Sequence, residues 1–317
     1  MLLSIIKLIA RFAVSFIAAS LAVFLIMRLL PGDPAQIALG INATPELLAK
    51  TRAEFGTDRP LLIQYFEWIG GILRGDFGNS YITRQDISPV IADRTQVSLI
   101  LVAAAMVLSL LIAVPAGILA ALKNNRPIGT VISVVSQLGI AVPGFLAAIL
   151  LVLVFAVQLK ILPANGWTIP AADPVEFLRK LILPTVSLAA IQGAIMTRYI
   201  RTAVLEVLGE EYLTTARAKG LTSMQALSRH VLRGAAIPII TVTGVQVSAM
   251  LVGAVVIERV FVIPGLGSLL VESTANRDLL TVQAIVMVLV GFTLAINLVI
   301  ELIYTLVDPR LRRRGVR

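Results

Sequence analysis

The sequence predicts an all-α, polytopic membrane protein with six transmembrane helices. Two observations carry this. Of 317 residues, 58% are hydrophobic and 14% charged, against about 25% charged in an average soluble domain. The apolar residues also gather into six runs near the roughly 20 residues needed to cross a bilayer core. A soluble enzyme with this balance would expose large apolar patches, which favour aggregation.

The runs fall at about 8–30, 97–122, 131–157, 181–200, 237–257 and 281–306. The first carries Arg28 late, where a long cation snorkels to the interface. No A-x-A cleavage site follows it, so it is expected to remain as a span. The fourth is shorter and more polar than the rest.

Between the first two spans lie residues 31–95, a segment with helix signals of its own. Thr44-Pro45-Glu46 supplies an N-cap, a proline at the first helical position and an acid in the first turn. Glu46 and Lys50 stand at i,i+4, and Gly56 is a suitable terminator. Asn42-Ala43-Thr44 also fits a glycosylation sequon, but capping is the preferred role for Thr44. A second start follows at Asp58-Arg59-Pro60, after which Leu61, Tyr65, Trp68, Ile69 and Ile72 recur at helical spacing. Tyr and Trp on such a face suit the membrane boundary. Two short helices packed on the outer surface of the bundle are expected.

Net charge is +9, and its placement matters more than its size. Fifteen of the 27 basic residues lie in 1–11, 123–130, 198–236 and 307–317. Residues 31–95 hold six basic and eight acidic residues. The positive-inside rule therefore places both termini in the cytoplasm and 31–95 outside. The charge is a topology signal, and no nucleic-acid partner is expected.

The connection 201–236 is too long for a turn and too polar to enter the bilayer. Glu210 through Gly220 reads as a short helix with acids at its start, bases at its end and a terminal glycine, all favourable to the helix dipole. Thr214, Thr215, Ala216 and Ala218 are small enough for a partner to approach closely, with Arg217 and Lys219 beside them. Thr222-Ser223-Met224-Gln225 makes a capping box for a second helix.

Within the spans, Gln137, Gln192, Gln246 and Asn297 are the polar candidates for a translocation path, since neutral amides offer both donors and acceptors to a peptide backbone. Interhelical hydrogen bonding is the competing role. Glu258 and Arg259, at the outer end of the fifth span, are candidates for an outer gate or an interfacial pair. No catalytic residue and no metal site are identified: the chain has no Cys and one His, His230, and no HExxH, GxSxG or GxxxxGK[ST] sequence. A stand-alone secondary carrier is a remote alternative, because such carriers often hold charge inside the membrane and these spans hold almost none.

Several blocks resemble the permeases of binding-protein-dependent ABC importers, and in particular the peptide/nickel family. Thr215-Ala216-Arg217-Ala218-Lys219-Gly220-Leu221, followed by His230, Leu232, Arg233 and Pro238, is similar to the EAA loop of that family. Thr214 and Thr215 stand where the general pattern has Glu and Ala, which agrees with the peptide/nickel branch. Leu29-Leu30-Pro31-Gly32-Asp33-Pro34, Asp58-Arg59-Pro60-Leu61, Gly75-Asp76-Phe77-Gly78-Asn79-Ser80, Val142-Pro143-Gly144-Phe145, Glu258-Arg259-Val260-Phe261, Pro264-Gly265-Leu266-Gly267 and Asp308-Pro309-Arg310 resemble its other blocks in order. The long segment after the first span resembles the B-type half of a heterodimeric permease.

The resemblance implies the type I importer permease fold over 1–317, in a prokaryotic inner membrane. It implies a C-type permease partner, two cytoplasmic ATPases that bind ATP and Mg, an outer substrate-binding protein, and no cofactor in this chain. It makes Glu211, Tyr212, Thr214, Thr215, Ala216, Arg217, Ala218, Lys219 and Gly220 the coupling helix. The expected cargo is a di- or oligopeptide, with a nickel chelate or another small ligand as the alternative.

Overall fold

The computed structural model describes residues 2–29, 32–211, 225 and 231–307. All the regular elements among them are helical. Helix α1 (Leu2–Leu29) is followed by α2 (Pro34–Leu39), α3 (Pro45–Phe55) and α4 (Leu61–Leu73). Then come α5 (Ser88–Leu122), α6 (Pro127–Ala141) and α7 (Gly144–Leu151), the last continued by a π-helix over Val152–Gln158. Helices α8 (Pro174–Leu208), α9 (Leu232–Val260), α10 (Leu266–Ala275) and α11 (Leu279–Val307) complete the order.

Among the described residues five helices are long and apolar enough to cross a membrane: Ile6–Leu29, Ser88–Leu122, Pro174–Leu208, Gly234–Val260 and Leu279–Tyr304. The expected third span is not one rod. Helices α6 and α7 meet at 99°, so the count reaches six only if the bent pair is one span. Pro143 lacks an N–H and crowds the residue before it out of the helical region. Val142 is accordingly extended, at φ −79° and ψ 122°. The fourth span is a long helix, α8, that starts before the apolar run because Asp173 caps it, accepting from the amides of Val175 and Glu176.

The chain divides into two compact units, residues 1–98 with 264–298 and residues 99–263 with 299–317. In the first, the expected signals of α3 are all used. Thr44 accepts from the Leu47 amide at 3.3 Å, Pro45 opens the helix, and Gly56 closes it at φ 66°. The side-chain pair is a different one: Arg52 meets Asp33 at 2.8 Å, and Glu46 with Lys50 is not among the ion pairs. Asp33 also caps α2, so one carboxylate ties α2 to α3. The aromatic face of α4 is turned onto α1. Phe24 meets Tyr65 edge-on at 5.5 Å and Trp68 at 5.9 Å, and Tyr65 shares a 2.8 Å hydrogen bond with Ser20.

The loop 74–87 is held at the α10–α11 corner by a buried carboxylate. Asp278 accepts from the hydroxyls of Ser80 and Thr281, each at 2.6 Å, and from the Tyr81 amide at 3.2 Å. Ser80 Oγ in turn accepts from the amides of Ile82 and Thr83. Ile87, Ile91, Leu266, Ala284 and Ile285 form the apolar core beside it.

In the second unit α8 is central and packs on α6, α7 and α9. Small residues set the spacing. A Cβ at Gly144 would stand 2.8 Å from Ile191 Cδ1, and one at Gly117 would stand 2.7 Å from Ile200 Cγ2. At Gly129, near the start of α6, the contact is with backbone: 2.2 Å from the Lys123 carbonyl oxygen. Backbone cannot step aside as a side-chain tip can. Gly129→Ala is therefore expected to destabilise the α5–α6 corner by about 2–3 kcal/mol, read as a lowered midpoint in thermal unfolding of the detergent-solubilised chain.

Candidate functional site

The four amides expected to line a path fall differently. Gln192 on α8 and Gln246 on α9 are buried, at 7% and 8% exposure, on two helices packed against each other. Gln137 on α6 and Asn297 on α11 are exposed, and Asn297 belongs to the other unit. The Gln192 Oε1 has no hydrogen-bond partner, and neither does the buried Thr185 Oγ1. Thr185 and Gln192 are seven residues apart, two turns of helix, and so share one face of α8.

Thr185 was missed in the sequence because a helical Ser or Thr ordinarily satisfies itself on the i−4 carbonyl. Ser187 and Thr197 do so here, donating to Leu183 and Gly193. Thr185 follows Pro184 inside the helix, and that adjacency is the one sequence signal available. A buried polar atom left unpaired costs roughly 1–3 kcal/mol. Two such atoms on one face suit a surface that meets a polar partner, and α8 offers it a hydroxyl and a side-chain amide.

Glu258 and Arg259 are separated by their helix positions. Glu258 is fully buried, while Arg259 is exposed in the last turn of α9. The turn beyond them is tight. Val262 has φ 52°, costly for a β-branched residue. Its neighbours hold it there: Phe261 and Ile263 are buried, the Ile263 amide donates to the Glu258 carbonyl at 2.8 Å, and the Gly166 amide donates to the Phe261 carbonyl at 2.8 Å.

Of the expected coupling helix, Glu211 is described and is exposed. Tyr212, Thr214, Thr215, Ala216, Arg217, Ala218, Lys219 and Gly220 lie outside the described residues, as do Thr222, Ser223, Met224, His230 and Asp308-Pro309-Arg310. The helices on either side are α8 and α9. Among the described residues no three His, Cys, Asp or Glu side chains converge as metal ligands.

Residues 113–313 match the family model of the binding-protein-dependent transport system inner membrane component, and residues 1–102 match the model of the N-terminal part of such membrane components. The chain is 37% identical over 290 residues to a "Probable peptide ABC transporter permease protein" of Sinorhizobium fredii, covering 92% of this chain and 93% of that one. It is 36% identical over 298 residues to a glutathione transport system permease protein of Salmonella choleraesuis, covering 94% and 95%. In fold it is similar to the inward-facing MetNI methionine ABC transporter, with a TM-score of 0.58 at 14% identity, over 69% of this chain and 96% of that one. With the apolar helices described above, these matches make it a multi-pass membrane protein, and the chain belongs to the family of binding-protein-dependent transport system inner membrane components.

Proposed function

We propose that this permease is the B-type half of a heterodimeric, ATP-driven importer of short peptides. Its carrying observation is that relatives named for peptide and glutathione transport align with more than nine-tenths of the chain. The chain does not hydrolyse ATP and carries no cofactor. Two ATPase subunits on the cytoplasmic side bind ATP and Mg and dock on residues 211–220. An outer substrate-binding protein delivers the cargo, and a C-type permease completes the path. Both termini are cytoplasmic, in keeping with the fifteen basic residues on that side and the positive-inside rule. The segment 31–95 is then extracytoplasmic and 201–236 is the coupling connection.

The peptide meets the paired helices α8 and α9. Thr185 and Gln192 offer a hydroxyl and a carbonyl to its backbone amides, and Gln246 adds a second amide. Switching between inward and outward access is a two-state change that the nucleotide state of the ATPases biases. Glu258 and Arg259, in the last turn of α9, are assigned to the outer gate.

Reconstitution of the full complex into liposomes tests this reading. Uptake of a radiolabelled dipeptide is expected to require ATP inside, the binding protein outside and this chain in the membrane. Uptake by this chain alone without ATP would refute the importer reading. Gln192→Leu is expected to lower uptake by about five- to tenfold, the equivalent of one hydrogen bond worth roughly 1 kcal/mol, with ATPase co-purification unchanged.

A further inference from the structure

A polar cavity lies far in sequence from α8, within the unit formed by residues 1–98 and 264–298. It holds about 390 Å³ between the end of α1, the α3–α4 pair, the 74–87 loop and the start of α11. That volume is within the usual range for small-molecule sites. Four residues that line it each carry a buried polar atom with no hydrogen-bond partner: Arg28 Nε, Trp68 Nε1, Gln283 Nε2 and Gln64 Oε1. Gln64 and Gln283 are 7% and 4% exposed.

The orientation of Gln64 is set by its own bonds. Its Nε2 donates to the Arg59 carbonyl at 2.6 Å and the Thr57 carbonyl at 3.3 Å, so the carbonyl oxygen is the unpaired end. The acids on the wall are already engaged. Glu54 faces Arg84 at 3.9 Å, Glu67 pairs with Arg59 at 2.6 Å, and Asp76 accepts from the Gly78 amide. Arg28 has no carboxylate partner among the described ion pairs. Its guanidinium lies over the Phe24 ring, 5.3 Å from the centroid, and beside the Tyr81 phenol. Burial pushes that phenol above its ordinary range against the opposing pull of Arg28, so it stays neutral at physiological pH.

What remains unpaired is the Nε of one guanidinium, two neutral N–H donors and a single acceptor. We propose that this cavity binds the carboxylate end of an amino acid or short peptide. The carboxylate takes the Arg28, Trp68 and Gln283 donors, and the adjacent N–H donates to Gln64 Oε1. A carboxylate accepts up to four hydrogen bonds, and those from a guanidinium are the stronger, charge-assisted kind. Phe24, Trp68 and Tyr81 supply apolar surface for the side chain. The site does not depend on the peptide-import reading, because a free amino acid satisfies the same four atoms.

The chain has two tryptophans, so Trp167→Phe leaves Trp68 as the sole indole reporter. The full-length Trp167→Phe chain in detergent is titrated with alanyl-leucine, its C-terminal amide, and leucine. A saturable shift of Trp68 emission with alanyl-leucine is expected, with affinity on the order of tenfold lower or worse for the amide. Saturation by leucine as well assigns the site to amino carboxylates in general, and saturation by alanyl-leucine alone assigns it to peptides. Arg28→Gln is expected to weaken binding on the order of tenfold or more, while Arg28→Lys retains part of it. Should Arg28→Gln not fold, Gln283→Glu, which sets a carboxylate against the ligand's own, is expected to abolish binding. No saturable shift in the parent, equal affinity for the amide, or unchanged affinity in Arg28→Gln would overturn the proposal and leave a cavity that holds water alone. None of these readouts uses ATP or uptake, so failure here and failure of the importer reading are distinguishable.

Discussion

Asp278→Ala is expected to free the 74–87 loop from the α10–α11 corner and destabilise that attachment by about 3–5 kcal/mol. The magnitude follows from what the carboxylate holds. Three donors converge on its two oxygens, from Ser80, Tyr81 and Thr281. Hydrogen bonds to a charged group are worth roughly 1.5–3 kcal/mol, and each buried donor left behind costs about 1–3 kcal/mol more. At the start of α11 the Val282 amide bonds back to the Asp278 carbonyl; that backbone bond survives the substitution and the side-chain anchor does not. Limited trypsinolysis reads the result, because the loop carries the exposed Arg74 and Arg84. Cleavage that requires local opening follows the population of the open form, so roughly 100-fold faster cutting at Arg84 is expected for a loss near 3 kcal/mol. Asp278→Asn keeps the shape but only one acceptor oxygen, and an intermediate rate is expected. A cutting rate in Asp278→Ala equal to that of the parent would show that the apolar core beside the corner suffices.

This anchor illustrates what the sequence carried and what it did not. Local signals were legible. Thr44, Pro45 and Gly56 delimit α3 through contacts within a few residues, and the spans follow from apolar run length. Long-range polar contacts were not. Asp278 meets Ser80 across 198 positions, and nothing near either residue announces the other. Helix α10 was not among the expected elements: it has ten residues, too few to stand out as a span. Helix α2 is shorter still, at six residues. The bend at Val142-Pro143 was written in the sequence as a proline inside an apolar run. The run's length concealed that it ends one helix and begins another.

The polar residues divide on the same ground. An amide in an apolar run is recognisable, but the face it occupies is set by which helix lies opposite. Gln192 and Gln246 are buried and Gln137 and Asn297 exposed, although all four read alike. The cavity at Arg28 was beyond local reading for a further reason. Its unpaired atoms come from α1, α4 and α11, and each of the four residues has an ordinary role when considered alone. Arg28 was expected to snorkel at the end of a span; its guanidinium lies over Phe24 of the same helix, in a wall shared with the insertion.

Replacing residues 211–220 with a Gly/Ser linker of equal length is expected to reduce ATPase co-purification to the background of a preparation lacking the ATPases, and ATP-driven uptake with it. The argument begins with the flanking helices. Helix α8 ends at Leu208 and α9 begins at Leu232, and the two form the most extensively packed helix pair in their unit. Leu188 of α8 lies 3.5 Å from where a Cβ on Gly253 of α9 would stand. A load applied to the chain between them therefore reaches both helices, and a close-packed pair transmits displacement rather than absorbing it. The sequence between offers a partner small residues at Thr214, Thr215, Ala216 and Ala218, with cations at Arg217 and Lys219. A Gly/Ser linker keeps the connection length but removes the close-approach surface and the charges together. Arg217→Glu isolates the electrostatic share: reversing one charge at a buried contact is expected to weaken ATPase binding by about 2 kcal/mol or more, roughly 30-fold. Membrane insertion and the thermal midpoint of the chain are expected to be unchanged in both variants, because the helices on either side keep their packing. Undiminished ATPase association in the linker variant would refute the coupling role and move the docking surface elsewhere on the cytoplasmic side.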